Sequence, residues 1–418
     1  MSRIVINGGR RLYGSVAIHG SKNAVLPVMA ASLMNQGITV IRNCPDIADV
    51  RAMQKILEFL ECKVQFKNDC MIIDTVNAQS KELKEELTKP FRGSSILIGP
   101  MLVRFGSVKI AQPGGCNIGS RPLDIHLNSL KRLGASWRMT QDYIEMEGVH
   151  LTVNDVILRF PSVGATENTV MAAAMLNGTT TISNAAKEPE IVTLCEYLEK
   201  AGAVITGAGT DCITVTGRGR LHSAEIIADA DRIVAGTYMA AVTACGGSVF
   251  LENCKIGDCQ SFLDVITGMG ARVTVKDNAI FVEMNQRPEN LNYIHTGPYP
   301  EFSTDMQSII LSVAAKADGV LKLKEQIFEN RFKTAPWLEK MGADIKIEKD
   351  LAVVKGREYL NGCEVTGEDL RGTAALVVAG LCAQGTTIIH NADYIKRGYM
   401  NLCENFRRLG ADIKWEDN

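Results

Sequence analysis

The sequence predicts an α/β fold made of six copies of one helix–strand unit, gathered in two domains of three copies each. Three observations lead there. A helix end, a Gly-Ala step and a strand-like alternation recur in "LKRLGASW" (130–137), "LEKAGAVI" (198–205), "ITGMGARV" (266–273), "LEKMGADI" (338–345) and "FRRLGADI" (406–413). "LEFLECKV" (57–64) is a degraded sixth copy with Glu61 in the glycine position. The landmarks Glu61, Gly134, Gly202, Gly270, Gly342 and Gly410 stand 73, 68, 68, 72 and 68 residues apart, and a fixed period of that kind marks structural repeats. Finally, a polar or charged residue opening a small-residue helix stands 37 to 42 residues before each landmark.

Each unit reads in the same order. First comes the small-residue helix: "SKNAVLPVMAASL" (21–33), "FRGSSILIGPMLV" (91–103), "SVGATENTVMAAAML" (162–176), "DRIVAGTYMAAVTA" (231–244), "STDMQSIILSVAA" (303–315) and "DLRGTAALVVAGL" (369–381). A turn and a strand such as "TTTIS" or "TTIIH" follow. The amphipathic helix comes next, and glycine in the left-handed conformation stops it. A second strand closes the unit, with room for one more. The repeat is too long for an open solenoid, and no polar capping repeat is present.

The first helices are apolar almost all round, which is the pattern of helices buried in a core. Their first turns carry Lys22, Asn23, Arg92, Ser162, Asp231, Arg232, Asp305, Asp369 and Arg371. If the repeats are symmetric, those turns point at one common region. A helix N-terminus attracts anions, so lysine and arginine placed there oppose the dipole and ask for a ligand. For Asp231, Asp305 and Asp369 the competing reading is N-capping. Lys22 and Arg92 have no capping role.

The chain has 418 residues, 46% of them apolar and 22% charged, with a formal net charge of −2. That balance argues against bulk binding to nucleic acid or an anionic membrane. The longest apolar runs, such as "AALVVAGLCA" (374–383), fall short of a membrane span, and "MSRIVINGGRRLYG" lacks a signal core. The expectation is a cytoplasmic protein. Twelve cysteines are scattered with no two of them three residues apart, so neither a zinc ribbon nor a thioredoxin-type pair is present. Most should be reduced and packed in the core, Cys254 and Cys259 included.

Cys116 departs from that pattern. It lies in "AQPGGCNIGSRPLD" (111–124), which lengthens the second unit: 26 residues run from Val108 to Gly134, against 22 from Thr180 to Gly202 in the third. A thiol in a segment with Gly114, Gly115 and Gly119 suits a lid better than a core.

Together with that loop, "GSKNA", "SVGATEN", "EPEI", "DRI", "FSTDMQ", "FENRF", "DLRG" and "IKRGY" stand in consistent order from about residue 3 to 413. The set resembles the UDP-N-acetylglucosamine enolpyruvyl transferase family of the EPSP synthase-like superfamily. The resemblance implies two inverted αβ prism domains, each with three units about a pseudo-threefold axis and with the active site in the cleft between them. One domain would span 22–230; the other would join 1–21 to 231–418. The implied reaction moves the enolpyruvyl group of phosphoenolpyruvate to the 3′-hydroxyl of UDP-N-acetylglucosamine and releases phosphate, the first committed step of peptidoglycan synthesis.

The family positions carry over residue by residue. Lys22, Asn23, Arg121, Arg331, Arg371 and Arg397 match the phosphoenolpyruvate site, where arginine forks suit both carboxylate and phosphate. Asp305 matches the residue at the acceptor hydroxyl and can take its proton. Cys116 matches the acid that protonates C3; a covalent holder of phosphoenolpyruvate and a product-release residue are the alternative roles. Lys22, Asn23, Asp369 and Arg397 complete the catalytic group, Asn23 and Asp369 as residues that position the reacting centre. Arg92, Arg121, Pro122, Leu123, Asp124, Ile125, Ser162, Val163, Gly164, Asp305 and Ile327 match nucleotide-sugar contacts. Phe160 departs from the family, standing where many members have a lysine near the diphosphate. Asn117 and Ser120 are small variations within the loop. His126 suits either substrate orientation or packing, and Glu190 suits bracing of cationic partners. No metal or cofactor is implied, the partners are the two small substrates, and a monomer is expected. The shikimate enolpyruvyl transferases lack such a cysteine loop, and a non-catalytic paralogue would not need the full catalytic set.

Overall fold

The computed structural model describes residues 2–114, 119 and 122–417. Two compact units emerge: Met1–His19 with Ala230–Asn418, and Gly20–Gly115 with Arg121–Asp229. Each holds three sheets.

The segment 156–217 shows the plan of a repeat. Helix Val163–Ala174 leads to strand Gly178–Ser183, and helix Pro189–Lys200 leads to strands Val204–Thr206 and Cys212–Gly217. The last strand returns antiparallel between the other two, while Val156–Ile157 pairs parallel on the far edge. A parallel pair requires a crossover, and the buried helix Val163–Ala174 supplies it. Strand order is equivalent in the other four-stranded sheets. In the three-stranded sheet the fourth place shrinks to a single bridge between Leu83 and Ile110.

Strands distant in sequence complete three of the sheets. Arg3–Asn7 enters between Thr386–His390 and Asp412–Glu416, antiparallel to both. Leu12–Ala17 pairs parallel with Gly247–Glu252, and Ala224–Ile227 with Ile38–Arg42. The N-terminal strands are thus tied into the unit whose remaining chain begins at Ala230.

In the first unit the small-residue helices Arg232–Cys245, Gln307–Lys316 and Leu370–Cys382 form the centre of the core, and every residue of the last is buried. Close approach explains the composition. A Cβ on Gly236 would lie 2.7 Å from Met306 Cε. Ser312 Oγ donates to Ala375 O across the helix pair at 2.8 Å. Buried polar groups must find partners, and Thr237 and Thr243 find them by donating to Ile233 O and Met239 O one turn back.

The repeated glycine stops have φ of 97° at Gly134, 110° at Gly202, 100° at Gly270, 96° at Gly342 and 95° at Gly410. Glu61 keeps the turn at φ 67° despite its Cβ, a conformation that costs roughly 1 kcal/mol or more in a residue other than glycine. The degraded copy therefore kept the backbone and lost the residue that suits it. Two expected helix openings are corrected: Arg92–Leu97 and Thr304–Met306 are 3-10 segments, and the α-helices run only over Ile98–Phe105 and Gln307–Lys316. Gly93, Ser94 and Ser95 are weak helix formers, which fits the tighter start.

Candidate active site

In the first unit the chemistry gathers around Asp305. Ser303, not Asp305, caps the Thr304–Met306 turn, its Oγ accepting from Asp305 N at 3.3 Å. The Asp305 carboxylate meets two guanidinium groups. Arg331 Nη2 donates to Oδ1 at 2.6 Å and Arg371 Nη2 to Oδ2 at 3.1 Å. Both arginine side chains are 4% exposed, against 29% for Asp305. Arg331 opens the Arg331–Thr334 turn and also donates from Nε to Thr304 O at 3.2 Å. Burial pulls the Arg371 pKa down, yet Asp305, Tyr399 and Asp231 together hold it well above its ordinary value. Tyr399 accepts from Arg371 Nη1 at 3.5 Å, and its hydroxyl also bonds Thr237 at 2.8 Å. Removing Asp305 would leave two buried cations short of their anion.

The other helix openings of this unit follow the capping alternative. Asp231 Oδ1 accepts from Ile233 N and Val234 N at 2.9 and 3.0 Å. Asp369 Oδ1 accepts from Arg371 N and Gly372 N at the same distances. Asp369 is 5% exposed, and both capping bonds use one oxygen, which leaves Oδ2 for another task. Arg397 ends the Ala392–Arg397 turn half-buried. Ile327, also half-buried, donates its N–H to Glu325 Oε1 at 2.8 Å.

The second unit leaves its helix openings less covered. Lys22 begins the Lys22–Ala31 helix, and Ser21 gives it no side-chain cap. Lys22 Nζ lies 3.4 Å from Asp49 Oδ2, and Asn23 beside it is half-buried. Arg92 is half-buried at the 3-10 opening. Ser162 Oγ accepts from Ala165 N at a long 3.4 Å, with Val163 and Gly164 half-buried behind it. A Cβ on Gly164 would fall 2.6 Å from His126 Cε1, so that glycine is required by close packing. His126 is 8% exposed and its Nδ1 pairs with Asn168 Nδ2 at 3.1 Å.

Asp124 starts the Asp124–Arg132 helix and ion-pairs with Arg159 at 2.5 Å. Pro122 is exposed; Leu123 and Ile125 are half-buried. A groove of about 560 Å³ begins at Ile125 and passes Asn128, Asn154, Ile157 and Arg159. Phe160 is 40% exposed, open to stacking and unable to pair with a phosphate. Deeper in the unit, Glu167 is 3% exposed, and its carboxyl is held well above the usual range by burial, then by Glu190 and Glu188. Glu190 thus has carboxylate as well as any cationic company. Cys116 and Arg121, with Asn117 and Ser120, lie outside the described residues.

A sequence profile of the EPSP synthase (3-phosphoshikimate 1-carboxyvinyltransferase) family matches residues 6–414. The chain is 42% identical over 413 residues to UDP-N-acetylglucosamine 1-carboxyvinyltransferase 2 of Caldanaerobacter subterraneus, covering 99% of each chain. It is also 42% identical over 417 residues to UDP-N-acetylglucosamine 1-carboxyvinyltransferase 1 of Halalkalibacterium halodurans, covering 99% of this chain and 94% of that one. The chain belongs to the UDP-N-acetylglucosamine 1-carboxyvinyltransferase family.

The fold agrees with that membership. The enolpyruvyl transferase NikO from Streptomyces tendae superposes with a TM-score of 0.89 at 24% identity, over 99% of this chain and 98% of the other. The EPSP synthase from Acinetobacter baumannii superposes with a TM-score of 0.78 at 17% identity, over the whole of both chains. The α/β fold of the EPSP synthase type is therefore this chain's fold.

Of the described cysteines, seven of eleven are buried. Burial pushes the Cys44, Cys62, Cys195 and Cys259 thiols up to about 12. Cys70, Cys245 and Cys363 are half-buried, and Cys212 is exposed at the start of Cys212–Gly217. Among the described residues no cluster of His, Cys, Asp and Glu could hold a metal ion, and no helix is long and apolar enough to cross a membrane. Sequence reasoning passed over Asp49, Glu325 and Tyr399. Asp49 had a signal, an acidic residue in the first turn of Ala48–Phe59; the other two are visible only through their contacts.

Proposed function

We propose that this member of the carboxyvinyltransferase family transfers the enolpyruvyl group of phosphoenolpyruvate to the 3′-hydroxyl of UDP-N-acetylglucosamine, releasing phosphate, in peptidoglycan synthesis. The observation that carries the reading is the match of nearly the whole chain to relatives named for that reaction. The residue types suit the chemistry. Phosphoenolpyruvate brings a phosphate and a carboxylate, and Arg331 and Arg371 are buried cations with forks that fit both. Lys22, Asn23, Arg121 and Arg397 complete that site. Asp305 takes the proton of the attacking hydroxyl, and Cys116 supplies one to C3, so that C2 becomes electrophilic. Addition gives a tetrahedral phospho-ketal; loss of phosphate restores the double bond. Asn23 and Asp369 position the reacting centre.

The nucleotide sugar meets the unit that carries Arg92, Pro122 to Ile125 and Ser162 to Gly164, with Arg121 among its contacts. The lightly capped opening at Ser162 leaves amides for a diphosphate. Asp305 and Ile327 are the remaining nucleotide-sugar contacts that the family resemblance implies. The two units, bounded near 22–230 and at 1–21 plus 231–418, serve as the two domains of the reaction, and the protein works in the cytoplasm as a monomer.

Selective labelling tests this site. Fosfomycin, a small anionic epoxide, should alkylate Cys116 in preference to the other eleven cysteines, faster when UDP-N-acetylglucosamine is bound. Cations around the site hold the anion near sulfur, while burial keeps most other thiols protonated. Peptide mass spectrometry reads the result. Label spread to the exposed Cys212, or labelling slowed by the nucleotide sugar, would count against the reading.

A further inference from the structure

Glu325 follows the Val320–Lys324 strand and is 3% exposed. A buried carboxylate needs several donors, and it has them. Its Oε1 accepts from Ile327 N at 2.8 Å and Phe328 N at 3.1 Å. Its Oε2 accepts from Thr304 Oγ1 at 2.9 Å. One carboxylate therefore fastens two separate pieces of chain. The first is the turn that carries Asp305, which begins at Thr304. The second is the loop that carries Ile327 and leads into Arg331, and Arg331 returns to Thr304 O at 3.2 Å. The backbone around Glu325 is itself anchored, since Glu325 N donates to Asp350 O at 2.8 Å and Gln326 N to Thr296 Oγ1 at 3.0 Å.

We infer that Glu325 is a positioning residue for the acceptor, a clasp that sets the Asp305 turn against the Ile327 loop. Charge-assisted bonds to backbone N–H groups are stronger than neutral ones, which suits a clasp that must hold a proton-accepting carboxylate to within a fraction of an ångström. Glu325 touches no substrate in this account; it acts through Asp305 and Ile327. The inference rests on the site assignment proposed above.

The clasp predicts a particular kinetic pattern. Glu325→Ala should raise the KM for UDP-N-acetylglucosamine and lower kcat, each by about tenfold, while the KM for phosphoenolpyruvate moves by less than about threefold. Glu325→Gln keeps one oxygen for the two amides, and the Thr304 hydroxyl can reverse to accept from the new NH2. It should therefore return to within about threefold of the parent. A residue needed only for folding would change expression and melting temperature without singling out one substrate. If the alanine variant does not fold, Thr304→Val removes one strand of the clasp alone and should raise the acceptor KM by about threefold. Asp305→Asn, measured in parallel, separates the two ways of failing. If it turns over like the parent, the site assignment has failed. If it is impaired while folded Glu325→Ala, or Thr304→Val in its place, leaves the acceptor KM unchanged, the clasp is refuted.

Discussion

Asp305 in one unit and Glu167 in the other are both carboxyl groups among helix openings, and their neighbours differ in sign. Asp305 receives Arg331 and Arg371 from turns far away in sequence. Glu167 sits one turn inside Val163–Ala174 with Glu190 and Glu188 as its charged neighbours. Burial raises the cost of a charge in both places; what decides the outcome is the company. Asp305 is set among cations. Glu167 is set among carboxylates, which together with burial push its pKa up. The capping pattern runs parallel to this contrast. In the first unit Asp231 and Asp369 close their helix openings with short bonds, whereas in the second Ser21 makes no cap and Ser162 a long one.

The largest expected effect breaks the Asp305 side of the comparison. Asp305→Asn removes the anion between two buried guanidinium groups and should lower kcat by about 10²-fold or more. Arg397→Ala should instead raise mainly the KM for phosphoenolpyruvate. Steady-state kinetics with each substrate varied in turn separates these outcomes, and identical behaviour of the two variants would dissolve the distinction between acceptor and donor residues.

A smaller effect sharpens the Glu167 side. Its folded pKa is raised above the unfolded value of 4.5, so the folded chain keeps a proton that the unfolded chain has lost. The stability Glu167 contributes is full below the unfolded value and is lost as pH climbs through the folded one. Glu167→Gln carries no titrating proton. Its melting temperature should exceed the parent's increasingly as the pH rises above the unfolded value of 4.5, with little gain below it. Parallel melting curves across that rise would show that Glu167 is not held protonated.

Much of this arrangement was legible before any coordinates. The helix stops were visible because glycine is the residue that takes a left-handed stop cheaply, and even Glu61 betrayed itself by position. The family positions were visible as motifs. Sequence left three things unread, each for a physical reason. Whether Asp231, Asp305 and Asp369 cap their helices depends on side-chain direction, and Asp305 differs because Ser303 already does that work. The 3-10 start at Arg92 follows from a weak local preference that no periodicity reveals. The N-terminal strand pairs with strands nearly the whole chain away, Arg3 opposite His390 and Glu416, and local pattern is silent on such pairings. Glu325 escaped notice because nothing in its own neighbourhood announces that Thr304 will reach it.

The central claim is the identity of the acceptor, and phosphate release measures it most directly. With phosphoenolpyruvate held constant, the enzyme should release phosphate when UDP-N-acetylglucosamine is added, with a product heavier by the enolpyruvyl group. Shikimate 3-phosphate at the same concentration should release none above background. Phosphate release with shikimate 3-phosphate and none with the nucleotide sugar would contradict the account.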